Sequence, residues 1–236
     1  GAGTTPALHG ALQKLDTRRQ NIMTVEDPIE YELAGVGQTQ VNAKIDLNFA
    51  NALRAILRQD PDVIVIGEIR DFETAQIAIQ ASLTGHLVLA TIHTNDAASA
   101  VTRLTDMGIE PFLLSSSLLG VLAQRLLRKL CTHCAPTLGT GVSSLPPEGA
   151  APPWGGPAAE RHAKGCEHCG HTGYQGRTGV FELLVTDDAI RAQIHHRASE
   201  ADIRTAALAG GMREDGERLV QRGVTSREEL VRVTRD

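Results

Sequence analysis

Two cysteine pairs carry the most specific chemistry in this chain. Cys131-x2-Cys134 and Cys166-x2-Cys169 each set two thiols in one tight turn. That spacing lets both sulfurs of a pair point at one tetrahedral centre, and thiolate sulfur selects Zn²⁺. Four cysteines complete the coordination and leave no position open for a reacting water, so the expected metal is a structural Zn²⁺. Buried free cysteines are the plainer alternative. His133, His168 and His171 flank the pairs, and a set of three cysteines and one histidine stays open at this stage. Close pairs of this kind suit thiolate ligands in a reducing compartment better than disulfides.

The second chemistry is carboxylate at the ends of apolar runs. Asp62-Val63-Ile64-Val65-Ile66-Gly67-Glu68 is a buried-type strand followed by an acid. Such an acid stands at the rim of a sheet, where it can hold Mg²⁺ through water or polarise an attacking water. Glu68 and Asp71 are equally at home as turn or helix-start residues in any α/β protein. Glu26-Asp27-Pro28 follows the run Ile22–Val25 and brings further acids to the same rim, with Pro28 stiffening the turn. His86 precedes and His93 follows the run Leu87–Ile92. A rim histidine can contact phosphate, or serve only as a hydrogen-bonded turn residue. Arg54 and Arg58 can neutralise phosphate oxygens across a subunit boundary or remain solvated helix charges.

Gly1-Ala2-Gly3-Thr4-Thr5 has the glycines and hydroxyls of a phosphate-binding loop but not its lysine, which reaches the β- and γ-phosphates. The nearest lysine downstream is Lys14.

The elements that must position these groups follow from periodicity. Short β-branched runs at 22–25, 63–66 and 87–92, apolar on both faces, call for a mostly parallel sheet covered by helices. Between them Phe49, Ala52, Leu53, Ile56 and Leu57 share a helix face, and Phe72–Leu83 forms a second helix. Asp96 is placed to cap a third, running to about Met107, and Pro111 to start a fourth that continues past Leu130. Six prolines and five glycines between Ala135 and Lys164 preclude a packed core there. Helices return after Arg177, at Asp187–His196, Glu200–Leu208, a stretch ending near Gly223, and a turn from Ser226. Ser226 with Glu229 and Ser199 with Asp202 carry capping-box spacing.

Hydrophobic residues make up 42% and charged residues 22% of the 236, a globular composition. A net charge of −5 and only 3% aromatics argue against nucleic acid as a partner. No run of apolar residues is long enough to span a bilayer.

Taken together these stretches closely resemble the type II secretion assembly ATPases, the general secretory pathway E family, and their type IV pilus relatives. Thr24 to Tyr31 is similar to the family's aspartate box. Leu53 to Asp62 leads into its Walker B stretch at Gly67 to Asp71, and Gly85 to Asp96 is similar to its histidine box. Ser115 to Cys131 resembles the helix leading to its metal site, and Gly176 to Leu184 favours the secretion branch. The resemblance implies a RecA-like P-loop core over 1–130 with its first strands missing, a four-cysteine subdomain at 131–175 containing the 135–165 linker, and a helical region at 176–236. It implies Glu68 as the Walker B glutamate, and Glu26 and Glu30 as supports for metal and water. His93 would lie near the γ-phosphate, assisted by His86, with Arg54 and Arg58 compensating charge. Gly1, Gly3, Thr4 and Thr5 would line the nucleotide loop, with Thr4 where the family has lysine. The parent so implied uses ATP and Mg²⁺, carries Zn²⁺, forms a hexamer, and works with inner-membrane secretion-platform proteins. It would sit in the cytoplasm, peripheral to the inner membrane, and drive pseudopilus assembly. This chain would be its C-terminal catalytic part, with little nucleotide turnover of its own.

Overall fold

The computed structural model describes residues 4–135, 161–207 and 210–234, without the side chains of 4–6 and 9. Most of the 135–165 linker and both glycines of the amino-terminal loop lie outside the described residues.

The chain divides into two units, one made of 1–123 with 182–209 and the other of 124–181 with 210–236. In the first unit, α1 (Thr4–Leu12), β1 (Ile22–Glu26), β2 (Gly37–Gln40), α2 (Phe49–Ile56), β3 (Val63–Ile66), α3 (Phe72–Leu83) and β4 (Leu87–Ala90) follow in order. The strands form a parallel sheet in the order β2-β1-β3-β4. β3 is buried along its whole length, as a central strand covered on both sides must be. Alternation sorts its side chains. Val63 and Val65 meet Leu12 of α1 and Ile22 on one face. Ile64 and Ile66 join Leu53 and Ile56 of α2 and the alanine-rich face of α3 on the other.

Two caps behave as expected. Asp71 accepts the Thr74 amide at 2.8 Å to start α3, and Asp96 with Ser99 forms a reciprocal capping box at α4 (Ala97–Asp106).

The fourth helix does not continue past Leu130. α5 (Pro111–Ser117) ends where Leu118 turns extended, and the chain then runs as β5 (Gly120–Leu130). β5 pairs with β6 (Tyr174–Val185). The bracketing bonds, Thr186 N–H to Leu119 O at 3.0 Å and Cys131 N–H to Gly173 O at 2.9 Å, make the ladder antiparallel. Val121 to Leu130 is rich in good helix formers, but a partner strand distant in sequence supplies its backbone hydrogen bonds, so pairing overrides local propensity. Gly120 permits the close approach, since a Cβ there would lie 2.8 Å from Leu184 O.

The observed division also differs from the expected 1–130, 131–175 and 176–236. α6 (Asp188–His195) and α7 (Glu200–Ala206) are not part of a separate helical region. Ile190, Ile194 and Ile203 are buried in the same cluster as the sheet. Only α8 (Met212–Gln221) and α9 (Arg227–Thr234) belong with the cysteine-bearing half, where Leu127, Leu130, Val180, Met212, Val220 and Leu230 are buried. Among the described residues no helix is long and apolar enough to cross a membrane.

Candidate functional site

All strands of the parallel sheet end on one edge, and the acids expected from the sequence gather there. Gly67 lets the chain turn directly off β3. Its amide donates to Val25 O at 2.7 Å, its carbonyl accepts the Thr91 hydroxyl, and the Ile69 amide donates to Thr91 O at 2.9 Å. These bonds tie the turn to β1 on one side and to the end of β4 on the other. Glu68 is thereby fixed with its side chain only 12% exposed. Its Oε1 lies 2.6 Å from His93 Nε2, and Arg70 Nε donates to Oε2. The two partners are far more exposed than Glu68, with His93 at 77% and Arg70 at 64%. The carboxylate is therefore the enclosed member, and His93 and Arg70 stand on its solvent side.

Glu26 ends the neighbouring strand, and a Cβ on Gly67 would be 3.3 Å from its Cα. It is buried at the rim. Its Oε1 accepts the Thr24 hydroxyl at 2.6 Å and Gln38 Nε2 at 2.8 Å. Gln38 also donates to Tyr31 O and accepts the Leu33 amide, while Gln40 accepts the Ile29 amide. Two glutamines on β2 therefore hold the loop that follows the cis Asp27–Pro28 bond, and Glu30 is exposed on that loop. Sequence reasoning missed both glutamines, though their alternation in Gly37-Gln38-Thr39-Gln40 is a strand signal with a polar face.

The remaining candidates are distributed more widely. His86 sits at the amino end of β4, the opposite edge from Glu68. There its Nδ1 lies 2.9 Å from Ala81 O and 3.1 Å from the Thr84 hydroxyl at the end of α3. The structure does not bring it to the rim. Arg54 pairs with Glu73 at 2.5 Å, and Arg58 donates to Arg54 O at 3.0 Å. Arg54 lies on the exposed side of α2 and Arg58 in the exposed 3-10 turn that follows it, and an exposed ion pair such as Arg54–Glu73 contributes about 1 kcal/mol or less. Thr4 and Thr5 begin α1, while Gly1, Gly3 and the two threonine side chains lie outside the described residues. Asp96, the cap of α4, also meets Arg204 at 2.6 Å. Burial works against its ionisation. The Ser99 amide and hydroxyl and Arg204 outweigh that and hold the carboxyl below its ordinary range.

In the other unit all four cysteine sulfurs lie within 4.8 Å of one another. Cys131–Cys166 and Cys134–Cys169 are 3.9 Å apart and Cys166–Cys169 3.8 Å. A tetrahedral centre with Zn–S bonds of about 2.3 Å needs sulfur–sulfur edges of about 3.8 Å. The amides of Cys166 and Gly173 both donate to Cys169 Sγ at 3.2 Å. Burial raises the Cys169 thiol, but these amides and the neighbouring thiols bring it down to about 6. Cys134 moves the other way. Burial and its thiol neighbours push it up to about 12 despite the Gly165 amide. Sulfurs this close resist ionising together unless a cation lies between them, and that is what the donor set fits. His133 and His168 stack on each other with centroids 4.0 Å apart, so the set brought together is the four sulfurs.

Comparison with known proteins places the chain. It belongs to the Type II/IV secretion system protein family, whose model matches residues 1–232. Among curated relatives, it is 60% identical to the type II secretion system protein HxcR of Pseudomonas aeruginosa and 56% to the type II secretion system protein E of the same organism. It is 52% identical to the type II secretion system ATPase E of Vibrio cholerae. Each of these alignments takes in the whole chain and 47% of the relative, so the chain spans about half the length of the curated relatives it matches. Among solved structures, the pilus retraction motor PilT with bound ADP superposes with a TM-score of 0.70 at 28% identity, over 100% of this chain and 59% of that one. The Legionella pneumophila ATPase DotB does so at 0.69 with 20% identity, over 99% and 57%, and shows the shared fold.

Proposed function

We propose that the chain supplies the catalytic rim and metal-stapled part of an ATP-hydrolysing motor of type II secretion. The observation that supports this most is the meeting of Glu68, Glu26 and His93 at the carboxyl edge of a parallel sheet, where α/β folds bind ligands. On this reading Glu68 orients the attacking water and takes its proton. Glu26, buried and hydrogen-bonded, shapes the rim beside it. His93 and Arg70, the exposed partners of Glu68, turn to phosphate oxygens when nucleotide arrives. Arg54 and Arg58 compensate charge at a subunit boundary, and Glu30 lies on the loop that closes the rim. Mg²⁺, when bound with ATP, supplies neutralisation of the charge that builds on the transferring phosphoryl group. Gly1, Gly3, Thr4 and Thr5 stand in the sequence where the family's nucleotide-binding residues lie, with Thr4 in the place of the lysine amine. Losing that charge costs several kcal/mol of transition-state stabilisation, so this chain turns over little by itself.

Cys131, Cys134, Cys166 and Cys169 hold a structural Zn²⁺ that fastens the ends of the 135–165 excursion together. The working assembly is a hexamer on the cytoplasmic face of the inner membrane, docked to platform proteins and driving pseudopilus growth.

Thr4 also favours a second reading, in which the chain is a non-catalytic, zinc-stapled assembly module of the same machinery. ATP binding and phosphate release by the chain, measured beside its Thr4→Lys variant, separate the two. The motor reading expects a gain of both with lysine, and the module reading expects neither.

A further inference from the structure

In the cysteine-bearing unit, one buried carboxylate is bonded to β5, the strand that leads into Cys131, and is linked through its neighbours to the start of β6, which follows Cys169. Glu229, on the first turn of α9, has a fully buried side chain. It accepts the Arg128 backbone amide at 3.0 Å, Arg128 Nε at 3.0 Å and Nη2 at 2.7 Å, and Arg232 Nε at 2.7 Å and Nη2 at 2.6 Å. Arg128 is three residues before Cys131. Around it, the Thr225 hydroxyl donates to Arg128 O at 2.8 Å and the Leu130 amide to Val224 O at 2.9 Å. The 224–229 segment thus holds the amide and carbonyl of residue 128 and the amide of residue 130. Cys131 turns its amide the other way, to Gly173 O.

The second strand is held through the same network. The Arg128 guanidinium lies over the Tyr174 ring, 4.1 Å from its centroid. The Tyr174 hydroxyl is 2.7 Å from Ser226 Oγ, which also accepts the Glu229 amide at 3.2 Å. Tyr174 adjoins Gly173, whose amide donates to Cys169 Sγ and whose carbonyl accepts from Cys131. The chain from the carboxylate to two of the four sulfurs is therefore continuous and short.

We propose that Glu229 is a positioning residue for the cysteine centre, setting the spacing of the β5 and β6 ends so that Cys131 and Cys169 stand ready to share one metal ion. This rests on the reading of the four cysteines as a Zn²⁺ site. Burying a carboxylate is a costly way to join a helix to a strand, even when half-exposed arginines pair with it. What the carboxylate adds is direction, because three bonds of fixed geometry define where residue 128 lies, while two from Arg232 hold the carboxylate itself in place. Outer groups that orient metal ligands typically change affinity by about 10–100-fold when removed.

The test is zinc release from the zinc-loaded chain to an excess of a chromogenic chelator, followed for the unchanged chain, Glu229→Gln, Arg128→Lys and Gly216→Ala. Arg128→Lys keeps the charge and loses the two-pronged bond, and serves if Glu229→Gln does not fold. Gly216→Ala is the structural control. Its Cβ would stand 2.1 Å from Leu230 Cδ1 between α8 and α9, so it strains the helix pair without touching the carboxylate. Release about 10–100-fold faster in Glu229→Gln, and faster in Arg128→Lys than in Gly216→Ala, is the expected result. Equal release from all variants, or acceleration in Gly216→Ala as large as in the other two, overturns the proposal. An unchanged chain that takes up no zinc at all overturns the metal reading instead.

Discussion

Replacing Gly67 by alanine tests how the rim is built. No positive φ is involved, so the cost is one of contact. The new Cβ would lie 3.1 Å from Val25 O and 3.3 Å from Glu26 Cα, with Phe49 Cε1 at 3.7 Å. The two nearest atoms are backbone of β1, which is hydrogen-bonded to β2 and β3 on its two sides and cannot turn aside as a side-chain tip would. Overpacking against such neighbours costs about 1–3 kcal/mol. At about 1.4 kcal/mol per factor of ten, the local opening equilibrium rises about 5- to 150-fold. Amide hydrogen exchange reads this directly at positions 67, 69 and 91, whose amides bond Val25 O, Thr91 O and Ile66 O. Exchange there should quicken by that factor, while amides of α8 and α9 stay as they were. Unchanged exchange at the three positions would refute the tight coupling of the Glu68 turn to β1 and β4.

Other expectations follow from single features. Cys131→Ser should abolish stoichiometric zinc binding, checked by elemental analysis, and strip exchange protection from 161–181 while sparing β1 and β3. Asp96 has a carboxyl held below its ordinary range, so its contribution is complete above about pH 3.8 and is lost as pH falls through its lower folded value. Exchange protection of α4 should therefore drop in that acid window and be flat with pH in Asp96→Asn, which keeps the cap and loses the charge. Asp96→Ala should cost α4 about 0.5–2 kcal/mol at neutral pH, read by the same exchange.

The central strands were legible because β3 is apolar on both faces, and the helices because Asp71, Asp96 and Ser199 cap them through local bonds. Cysteine spacing likewise foretold which sulfurs meet. β5 was not legible. Its residues favour helix, and only pairing with β6, which lies beyond the Pro/Gly-rich linker, makes it a strand. The same non-locality hid the Arg128–Glu229 network, whose members are 101 residues apart, although Glu229 was visible as half of a capping box. Gln38 and Gln40 escaped notice because a short polar strand lacks the apolar run by which strands are found. His86 was joined to His93 through the family resemblance, but the strand between them carries them to opposite edges of the sheet, where His86 meets Ala81 O and the Thr84 hydroxyl.

The most direct test of the rim as a nucleotide site is Glu68→Gln made in the Thr4→Lys chain. The amide nearly matches the carboxylate in shape but cannot take a proton. Equilibrium Mg-ATP binding and steady-state phosphate release should separate, with binding kept and release reduced to background. Phosphate release at an undiminished rate from the Glu68→Gln variant would contradict the account and leave Glu68 a structural residue of the turn.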